Sequence, residues 1–210
     1  MKQYKKLIIL TTLITLSPVI AGLLLWDQLP DQIPIHWNFE GQVDGWASKQ
    51  FAVFGLCAIM AVLHVLCTVI TFADPKNKGH NEKKAWIALW ITPAVSILSN
   101  TLVYGTVLGY EINVNRLVPL FLGGLFAITG NVMPKFKQNS TIGIKIPWTL
   151  HDEENWTATH RFAGPIWLVG GIVIMLSSFI GNIWIMIGAL LVMITAPVIY
   201  SYRFYKKKFG

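Results

Sequence analysis

The sequence predicts an all-α integral membrane protein with six transmembrane helices, both termini in the cytoplasm, and a structured loop on each side of the membrane. Of the 210 residues, 54% are hydrophobic and only 13% are charged, whereas about 25% of a soluble domain is charged. The mean hydropathy is +0.54. Long apolar runs alternate with polar connections, and basic residues concentrate in every second connection. These observations exclude a disordered chain and argue against a soluble enzyme.

Six apolar runs account for most of the chain. A helix needs about 20 apolar residues to cross the hydrocarbon core, and the first three runs and the sixth meet this length. The fourth and fifth are shorter. The first run follows lysines, as in a signal peptide, but it has no small-residue cleavage site and is interpreted as an uncleaved anchor. The runs are Leu7–Trp26, Phe51–Ala73, Trp86–Tyr110, Leu117–Met133, Pro165–Ile180 and Ile183–Tyr202.

The positions of the basic residues predict the topology. Fifteen of the 17 Lys and Arg residues lie at the termini or in the second and fourth connections, and only Lys49 and Arg116 lie elsewhere. Basic residues stay cytoplasmic in membrane proteins, so both termini are expected inside. The same asymmetry accounts for the net charge of +7, and no direct contact with nucleic acid is needed to explain it.

Few polar side chains lie within the predicted spans. No span contains Asp, Glu, Lys or Arg away from its ends, which argues against a charge-coupled pump. His64 is interpreted either as a proton relay or as a histidine hydrogen-bonded between helices. Gly105 and Gly109 form a GxxxG pattern that predicts a close-packing helix face. Cys57 and Cys67 are ten positions apart, about 15 Å along a helix, which is too far for a disulfide.

Two connections are long enough to hold structure of their own. The first long loop, residues 27–50, is expected outside the cell, and the second long loop, residues 131–164, is expected in the cytoplasm. On this basis the chain is divided into an amino-terminal transmembrane hairpin, residues 1–75, and a four-helix membrane portion, residues 76–210.

The first long loop has the pattern of a compact cap. Ile33, Ile35 and Trp37 alternate with polar neighbours, which predicts a short strand, and Pro34 favours extended backbone before it. The loop is acidic, with four carboxylates against Lys49. Two interpretations stay open: a recognition surface for an extracellular ligand, or a plug that packs on the helices. The candidate ligand-facing residues are Asp31, Pro34, His36, Trp37, Glu40, Asp44 and Trp46.

The second long loop contains a predicted helix. Thr149 is the candidate N-cap and Asp152 the residue that reaches back to it, and residues 152–164 then form an amphipathic helix on the inner leaflet. His151 and His160 are nine positions apart, so the HExxH arrangement of zinc hydrolases is absent. The sequence therefore predicts no enzyme, with no catalytic residue, metal or cofactor. A membrane enzyme that uses this loop stays open as an alternative.

Two stretches resemble known families. A small domain of unknown function is resembled by the stretch LPDQIPIHWNFEGQVDGWASK. The signature of the SdpI family of bacterial membrane immunity proteins is resembled by GNVMPKFKQNSTIGIKIPWTL, followed by a tryptophan and HRFAG. The similarity to this family runs through nearly the whole chain. Lys145 stands where many relatives are expected to have Arg, which keeps the charge but loses bidentate bonding. The signature also includes Leu150, and the signature residues predicted to bind a partner are Asn131, Pro134, Lys135, Asn139, Gly143, Lys145, Pro147, Trp148, Thr149, Trp156, His160 and Arg161.

The resemblance implies a multi-pass protein of the bacterial plasma membrane that gives immunity to a secreted, membrane-active peptide toxin of the sporulation-delaying type. It also implies a sensor that holds a cytoplasmic, ArsR-like autorepressor at the membrane. The implied partners are therefore membrane lipid, the extracellular toxin and the repressor. The alternatives are an exporter or a binding protein for a hydrophobic peptide or lipid, and the membrane enzyme considered above.

Overall fold

A computed structural model of the chain describes residues 4–74 and 82–210, and the side chains of these residues except 82–85. The described residues contain eight α-helices and one two-stranded antiparallel sheet. The elements are α1 (Lys5–Leu16), α2 (Pro18–Leu24), β1 (Gln32–Trp37), β2 (Val43–Ser48), α3 (Leu56–Ala73), α4 (Glu82–Val107), α5 (Val114–Val132), α6 (Pro147–His151), α7 (Glu153–Ile180) and α8 (Ile183–Phe209).

Within residues 4–74 and 82–210, six helical segments are long and apolar enough to cross a membrane, which confirms the predicted number of spans. The chain forms two compact units. The first comprises Met1–Phe72 and Ala85–Asn115, and the second comprises Ala73–Lys84 and Arg116–Gly210. The spans are Lys5–Leu24, Phe51–Ala73, Trp86–Val107, Val114–Lys135, Glu153–Ile180 and Ile183–Phe209.

The fifth span begins earlier than the sequence predicts. The apolar run indicated Pro165–Ile180, but α7 is one helix from Glu153 to Ile180 with Pro165 inside it. A proline removes one backbone donor, and membrane helices tolerate this loss. Residues 153–164 are therefore the first turns of α7, and the prediction of a separate amphipathic helix on the membrane surface is wrong.

Capping between α6 and α7 also differs from the prediction. Asp152 is the N-cap of α7, and its carboxylate accepts a hydrogen bond from the backbone N–H of Glu154 at 3.1 Å. Thr149 lies inside α6, where its hydroxyl accepts a hydrogen bond from the backbone N–H of Ile146 at 3.1 Å. Pro147, at the first position of α6, favours a helix start there, which places the start earlier than the predicted cap.

A proline breaks the first span. α1 ends at Leu16 and α2 starts at Pro18, which has no N–H to donate. The hydroxyl of Ser17 donates to the carbonyl oxygen of Ile14 at 2.8 Å, so this carbonyl keeps a partner. Tyr104 of α4 donates its hydroxyl to the carbonyl oxygen of Pro18 at 3.1 Å. The break is thereby held against α4 within the first unit.

Buried polar side chains join the helices of the first unit. The Nε2 atom of His64 in α3 lies 3.0 Å from the Oγ1 atom of Thr11 in α1, and both residues are fully buried. The interpretation of His64 as hydrogen-bonded between helices is therefore confirmed. Ser96 in α4 donates its hydroxyl to the carbonyl oxygen of Thr15 in α1 at 2.8 Å, so polar contacts connect α1 to both neighbours.

The GxxxG pattern does not form a helix-packing face, and this prediction is wrong. Gly109 lies beyond the end of α4 with φ +81°, and nothing lies within 4 Å of the position a Cβ atom would take. Gly105 is covered by the side chain of Ile112, in the connection that follows α4. The first glycine therefore accommodates this connection, and the second allows the left-handed backbone that ends the helix.

The backbones of α5 and α7 approach each other closely within the second unit. A Cβ atom at Gly171 of α7 would lie 2.5 Å from the backbone N of Ala127 and 2.5 Å from the carbonyl oxygen of Gly123, both in α5. A Cβ atom at Gly130 of α5 would lie 2.4 Å from the backbone N of Leu168 in α7. Small residues let helices pack closely in membranes, where hydrophobic burial adds little.

We expect reporter fusions to place both termini in the cytoplasm, because of the distribution of basic residues. A reporter that is active only in the cytoplasm should be active at the carboxy terminus. It should be inactive when inserted within residues 38–46, while a reporter that is active only outside should show the reverse. External activity at the carboxy terminus would contradict the predicted orientation.

Candidate functional site

Two side chains anchor the first long loop to the helices of the first unit. Leu29 and Ile33 are buried in one cluster with Val53 at the start of the second span and with Val103 of α4. Ile33 has no exposed surface. Because successive side chains of a strand point to opposite faces, this anchoring commits one face of the β1–β2 hairpin to the core and leaves the other free.

The free face of the hairpin carries a histidine, a carboxylate and a tryptophan. His36 Nδ1 lies 2.5 Å from Asp44 Oδ1, and the two side chains are 69% and 43% exposed. Trp46 lies two positions after Asp44 on β2 and is 58% exposed. This face is therefore aromatic and acidic, and it lies open to a ligand.

The turn between the strands is organised by Asn38. Its Oδ1 atom accepts hydrogen bonds from the backbone N–H groups of Glu40 at 2.9 Å and Gln42 at 3.0 Å. Gly41 has φ +79°, a conformation that favours glycine. Phe39 stands at the tip of this turn and is 82% exposed. An exposed phenylalanine on an ordered turn is the type of group that contacts a partner or the membrane interface.

An open groove of about 440 Å³ lies between this turn and the connection from α4 to α5. Among the described residues, two carboxylates, Glu40 and Glu111, line it and no Lys or Arg does. The groove adds to the acidic character of the loop, since both glutamates are exposed. The residues lining the groove are Glu40, Gly41, Glu111, Ile112, Asn113, Val114 and Asn115.

The lysine of the first long loop points back to the helices. Lys49 Nζ donates a hydrogen bond to the carbonyl oxygen of Trp26 at 3.1 Å and lies 5.1 Å from the centre of the Trp26 ring. A cation in this position neutralises a helix end and stacks on an aromatic face. It therefore compensates little of the negative charge on the free face of the hairpin.

The candidate residues of the first long loop fall into two groups. Pro34 pairs with Trp46 across the hairpin but is itself buried, and Trp37 packs, half-buried, against the core, so neither is open to a ligand. Both of the interpretations left open by the sequence are therefore present in one hairpin, a plug on one face and an open surface on the other. The exposed candidates are Asp31, His36, Glu40, Asp44 and Trp46.

Asn139 ties together the irregular part of the second long loop. Its Oδ1 atom accepts hydrogen bonds from the backbone N–H groups of Thr141 and Ile142, each at 2.8 Å. Its Nδ2 atom donates to the carbonyl oxygens of Lys137 at 3.0 Å and Ile142 at 2.8 Å. Asn139 has no exposed surface, so this side chain acts as a buried staple for the loop.

A stacked tryptophan and histidine support the same loop from α7. The rings of Trp156 and His160 are 4.1 Å apart at 21°. His160 Nδ1 lies 2.8 Å from the carbonyl oxygen of Trp156, and Nε2 accepts the backbone N–H of Ile144 at 3.0 Å. The ring is therefore neutral with its proton on Nδ1. Because both nitrogens are in use, His160 holds the loop and is not available to a ligand.

Gly143 fits against this stack. Its φ is +135°, and a Cβ atom there would lie 2.5 Å from His160 Nε2 and 2.8 Å from the Trp156 ring. Trp156 also donates its Nε1–H to the carbonyl oxygen of Phe136 at 2.8 Å. The loop therefore lies on the aromatic surface of α7 from residue 136 to residue 144, and only glycine allows the approach.

α6 is fixed by side chains before and within it. Thr149 donates its hydroxyl to the carbonyl oxygen of Ile144 at 2.7 Å. Gln138 donates to the carbonyl oxygens of Thr149 at 2.8 Å and Leu150 at 3.1 Å, and so binds the carboxyl end of a one-turn helix. These bonds replace the partners that a short helix cannot supply to its own last carbonyls.

The end of α8 packs on the junction of α6 and α7. The ring of Trp148 lies 5.1 Å from that of Tyr202, and Lys208 Nζ lies 2.9 Å from Asp152 Oδ2 and 2.7 Å from Glu154 Oε2. Burial opposes ionisation of Asp152, but hydrogen bonds from Lys208 and from the Glu154 backbone outweigh it and lower the pKa of this carboxyl. The ion pair is therefore kept at neutral pH and weakens as the pH falls through the lowered pKa.

The structure separates the signature residues by exposure. Asn139, Thr149, Trp156 and His160 are fully buried, and with Gly143 they form one hydrogen-bonded and stacked core. They order the loop and do not face a partner. Pro134, Trp148 and Leu150 are half-buried. The exposed signature residues are Asn131, Lys135, Lys145, Pro147 and Arg161.

Several residues that shape these loops were not predicted. Gln138 bonds to residues 11 and 12 positions away, and the side chain of Asn155 bonds to Ser201, 46 positions away. Such pairs have no local pattern. A signal did exist for Ser201, because a polar residue in an apolar span usually finds a partner on another helix. Phe39 could have been noted as an aromatic residue inside a turn.

Comparison with known proteins agrees with both resemblances. The model of a domain of unknown function, DUF1648, matches residues 13–61, and that of the SdpI/YfhL protein family matches residues 135–201. The chain is 32% identical to the immunity protein SdpI of Bacillus subtilis (strain 168) over 213 aligned positions, which cover 98% of this chain and 99% of that protein. No solved structure matches. This chain, with its six spans, is therefore a multi-pass bacterial membrane protein that belongs to the SdpI family.

Proposed function

We propose that this protein gives its cell immunity to a secreted, membrane-active peptide toxin of the sporulation-delaying type. One observation carries the proposal, the similarity along 98% of the chain to a protein named immunity protein SdpI. A local match would support only a shared domain. Here the aligned region covers nearly the whole chain, including both long loops, which supports an activity in common.

The first long loop is the toxin-facing part in this proposal. Its exposed side chains include two aromatic groups, Phe39 and Trp46, and the carboxylates of Asp31, Glu40 and Asp44. Aromatic side chains supply much of the binding energy at protein interfaces, and complementary charge raises the association rate. Such a face suits a cationic, amphipathic peptide that arrives from outside.

We expect reversal of charge on this face to weaken protection. In a toxin-sensitive host, expression of the unaltered protein should raise survival against a sporulation-delaying-type peptide. Asp31→Lys and Asp44→Lys should each reduce that protection by about tenfold, because a like charge opposes a cationic ligand. The measurement is survival over a toxin series, at membrane protein levels matched by immunoblot.

Asp44→Asn is the matched control for these variants. It weakens the hydrogen bond with His36 without adding positive charge, so it should retain most of the protection. If Asn and Lys at position 44 reduce survival equally, loss of local structure and not charge is responsible. Absence of protection by the unaltered protein, across several such peptides, would contradict the immunity proposal itself.

The second long loop is the partner-facing part in this proposal. With toxin bound outside, it would recruit a cytoplasmic, ArsR-like autorepressor to the membrane. The exposed cations Lys135, Lys145 and Arg161 form the surface available to a soluble partner, and the buried signature residues keep it in place. A sensor of this type requires that toxin binding favours one arrangement of the protein over another.

Arg161→Ala is expected to reduce toxin-dependent recruitment of a tagged repressor while survival changes little. Arg161 is exposed, so its loss removes a charge without opening a cavity. Trp148→Ala should also lower recruitment, but it additionally removes the contact with Tyr202. Glu153→Ala, an exposed neighbour at the start of α7, is the control and should leave recruitment intact. Equal loss of both readouts in all variants would contradict separate roles for the two loops.

A further inference from the structure

The last turns of α8 continue beyond its apolar part. α8 runs from Ile183 to Phe209, and its first charged side chain is that of Arg203. The apolar part before Arg203 is about 30 Å long at 1.5 Å per residue, which equals the thickness of the hydrocarbon core. When this part crosses the core, the last turns, from Arg203 to Phe209, lie in the layer of the lipid headgroups.

Three cations share one face of these last turns. Lys206 and Lys207 follow Arg203 by three and four positions, a spacing that places helical side chains on the same side. All three are exposed. Within the part of the chain that the structure describes, the salt bridges involve none of them. We call these three residues the α8 cationic face, and its charges are not paired with carboxylates of the protein.

Contacts on the other sides of α8 fix the direction of this face. Lys208 Nζ lies 2.9 Å from Asp152 Oδ2, and position 208 is turned by about 150° from the middle of the α8 cationic face at 100° per residue. The ring of Trp148 lies 5.1 Å from that of Tyr202 and 6.3 Å from that of Tyr205. The α8 cationic face is therefore turned away from the start of α7 and towards the surroundings of the protein.

The chemistry and the depth of this face match a lipid phosphate. A guanidinium group such as that of Arg203 forms paired hydrogen bonds with phosphate oxygens, and the two lysines add point charges within about 6 Å along the helix. Each basic residue beside an anionic membrane surface strengthens binding by about fivefold. Tyr202 and Tyr205, both exposed, are of the type that is enriched where the hydrocarbon core ends. A cationic face in the headgroup layer is thus closer to lipid than to any soluble partner.

We propose that the α8 cationic face binds the headgroup phosphate of an anionic phospholipid. The lipid belongs to the leaflet at the carboxy terminus, which is the inner leaflet in the predicted orientation. Lys208 holds the end of α8 against α7, and the other three cations hold it at the membrane surface. The proposal does not rest on the immunity function, and it leaves the cations of the second long loop to a soluble partner.

The test is a lipid titration of the purified full-length protein in non-ionic detergent. Fluorescently labelled phosphatidylglycerol is the anionic probe, and phosphatidylcholine with the same label is the neutral comparison. The unaltered protein should bind phosphatidylglycerol at least about tenfold more tightly. In the triple variant with Gln at 203, 206 and 207, the preference should fall to about twofold or less. An unchanged preference in this variant would overturn the proposal and leave the face to a soluble partner.

Salt provides a second measurement on the same samples. Charges that are exposed are screened by added ions, so an increase in NaCl from about 0.05 M to about 0.5 M should weaken binding of phosphatidylglycerol severalfold in the unaltered protein. The triple Gln variant should respond much less. Equal responses of the two proteins to salt would mean that the cations of α8 do not hold the lipid, and would overturn the proposal.

The matched control removes the same charge elsewhere in the second unit. Lys135, Lys137 and Lys145 of the second long loop are also exposed, and their joint replacement by Gln lowers the net charge by the same amount. This variant should keep the preference for phosphatidylglycerol. Equal losses in the two triple variants would show that net charge attracts the lipid, and the assignment to the α8 cationic face would be wrong.

A variant that retains the charge separates binding from folding. Arg203→Lys, Lys206→Arg and Lys207→Arg in one chain exchange the cation types and should bind phosphatidylglycerol within about threefold of the unaltered protein. Loss of binding with all three charges kept, at an unchanged unfolding temperature, would contradict an electrostatic site.

Competition identifies the source of the phosphate. Inorganic phosphate in large excess, at constant ionic strength, should not displace the labelled lipid, because the headgroup is also held by its place in the micelle. Complete displacement would identify a site for free phosphate and would overturn the assignment to lipid.

Discussion

Adding one methyl group at Gly171 is expected to destabilise the protein by about 2–4 kcal/mol. In Gly171→Ala the new Cβ atom would lie 2.5 Å from the backbone N of Ala127 and from the carbonyl oxygen of Gly123. Both are backbone atoms of α5, so no side-chain rotation can relieve the contact. The helices must separate, and separation loses packing along the whole crossing of α5 and α7.

Gly124→Ala is the matched control for this prediction. It adds the same methyl group to α5, one residue from Gly123, but the nearest atom to the new Cβ is the sulfur of Met175 at 4.0 Å. Alanine has the higher helix propensity, so the variant should be as stable as the unaltered protein or slightly more so. Thermal unfolding in detergent measures both. Equal losses would mean that the close crossing does not determine stability.

The membrane spans could be predicted because the information for them is local. The cost of burying charge and the length of an apolar run are both properties of a segment, and each of the six runs overlaps one of the six spans. The start of α7 was placed wrongly because the hydropathy of a segment contains no information on its distant contacts. His160 and Arg161 make the segment before Pro165 look polar, but His160 is buried against the second long loop and does not face lipid or water.

The candidate sites were predicted less completely, because exposure depends on contacts distant in sequence. Alternation in β1 indicated that one hairpin face is buried, yet the groove beside Glu40 is completed by Glu111 and its neighbours, about 70 positions away. In the second long loop, the resemblance marked Asn139, Trp156 and His160 without showing what they contact. The structure shows that these three hold the loop, which leaves Arg161 and the lysines as the surface.

Gly143→Ala is expected to disorder the second long loop while the spans remain folded. The substitution forces a side chain onto a residue with φ +135° and places its Cβ atom 2.5 Å from His160 Nε2. It therefore combines backbone strain with a clash at the ring that accepts the Ile144 N–H. Together these should destabilise the ordered conformation of the loop by about 3 kcal/mol or more. The segment has no regular secondary structure that would hold it in place.

Trypsin provides the measurement, since Lys137 and Lys145 flank the affected segment and are already exposed. Cleavage at an exposed lysine depends on how readily the backbone opens, so it should be much faster in Gly143→Ala. Gly181→Ala imposes positive φ in open surroundings, and Gly188→Ala has neither problem. Neither control should change cleavage at the two lysines. If Gly143→Ala also cleaves at the normal rate, the stack of Trp156 and His160 does not order this loop, and the exposed cations lose the support on which the proposed partner surface depends.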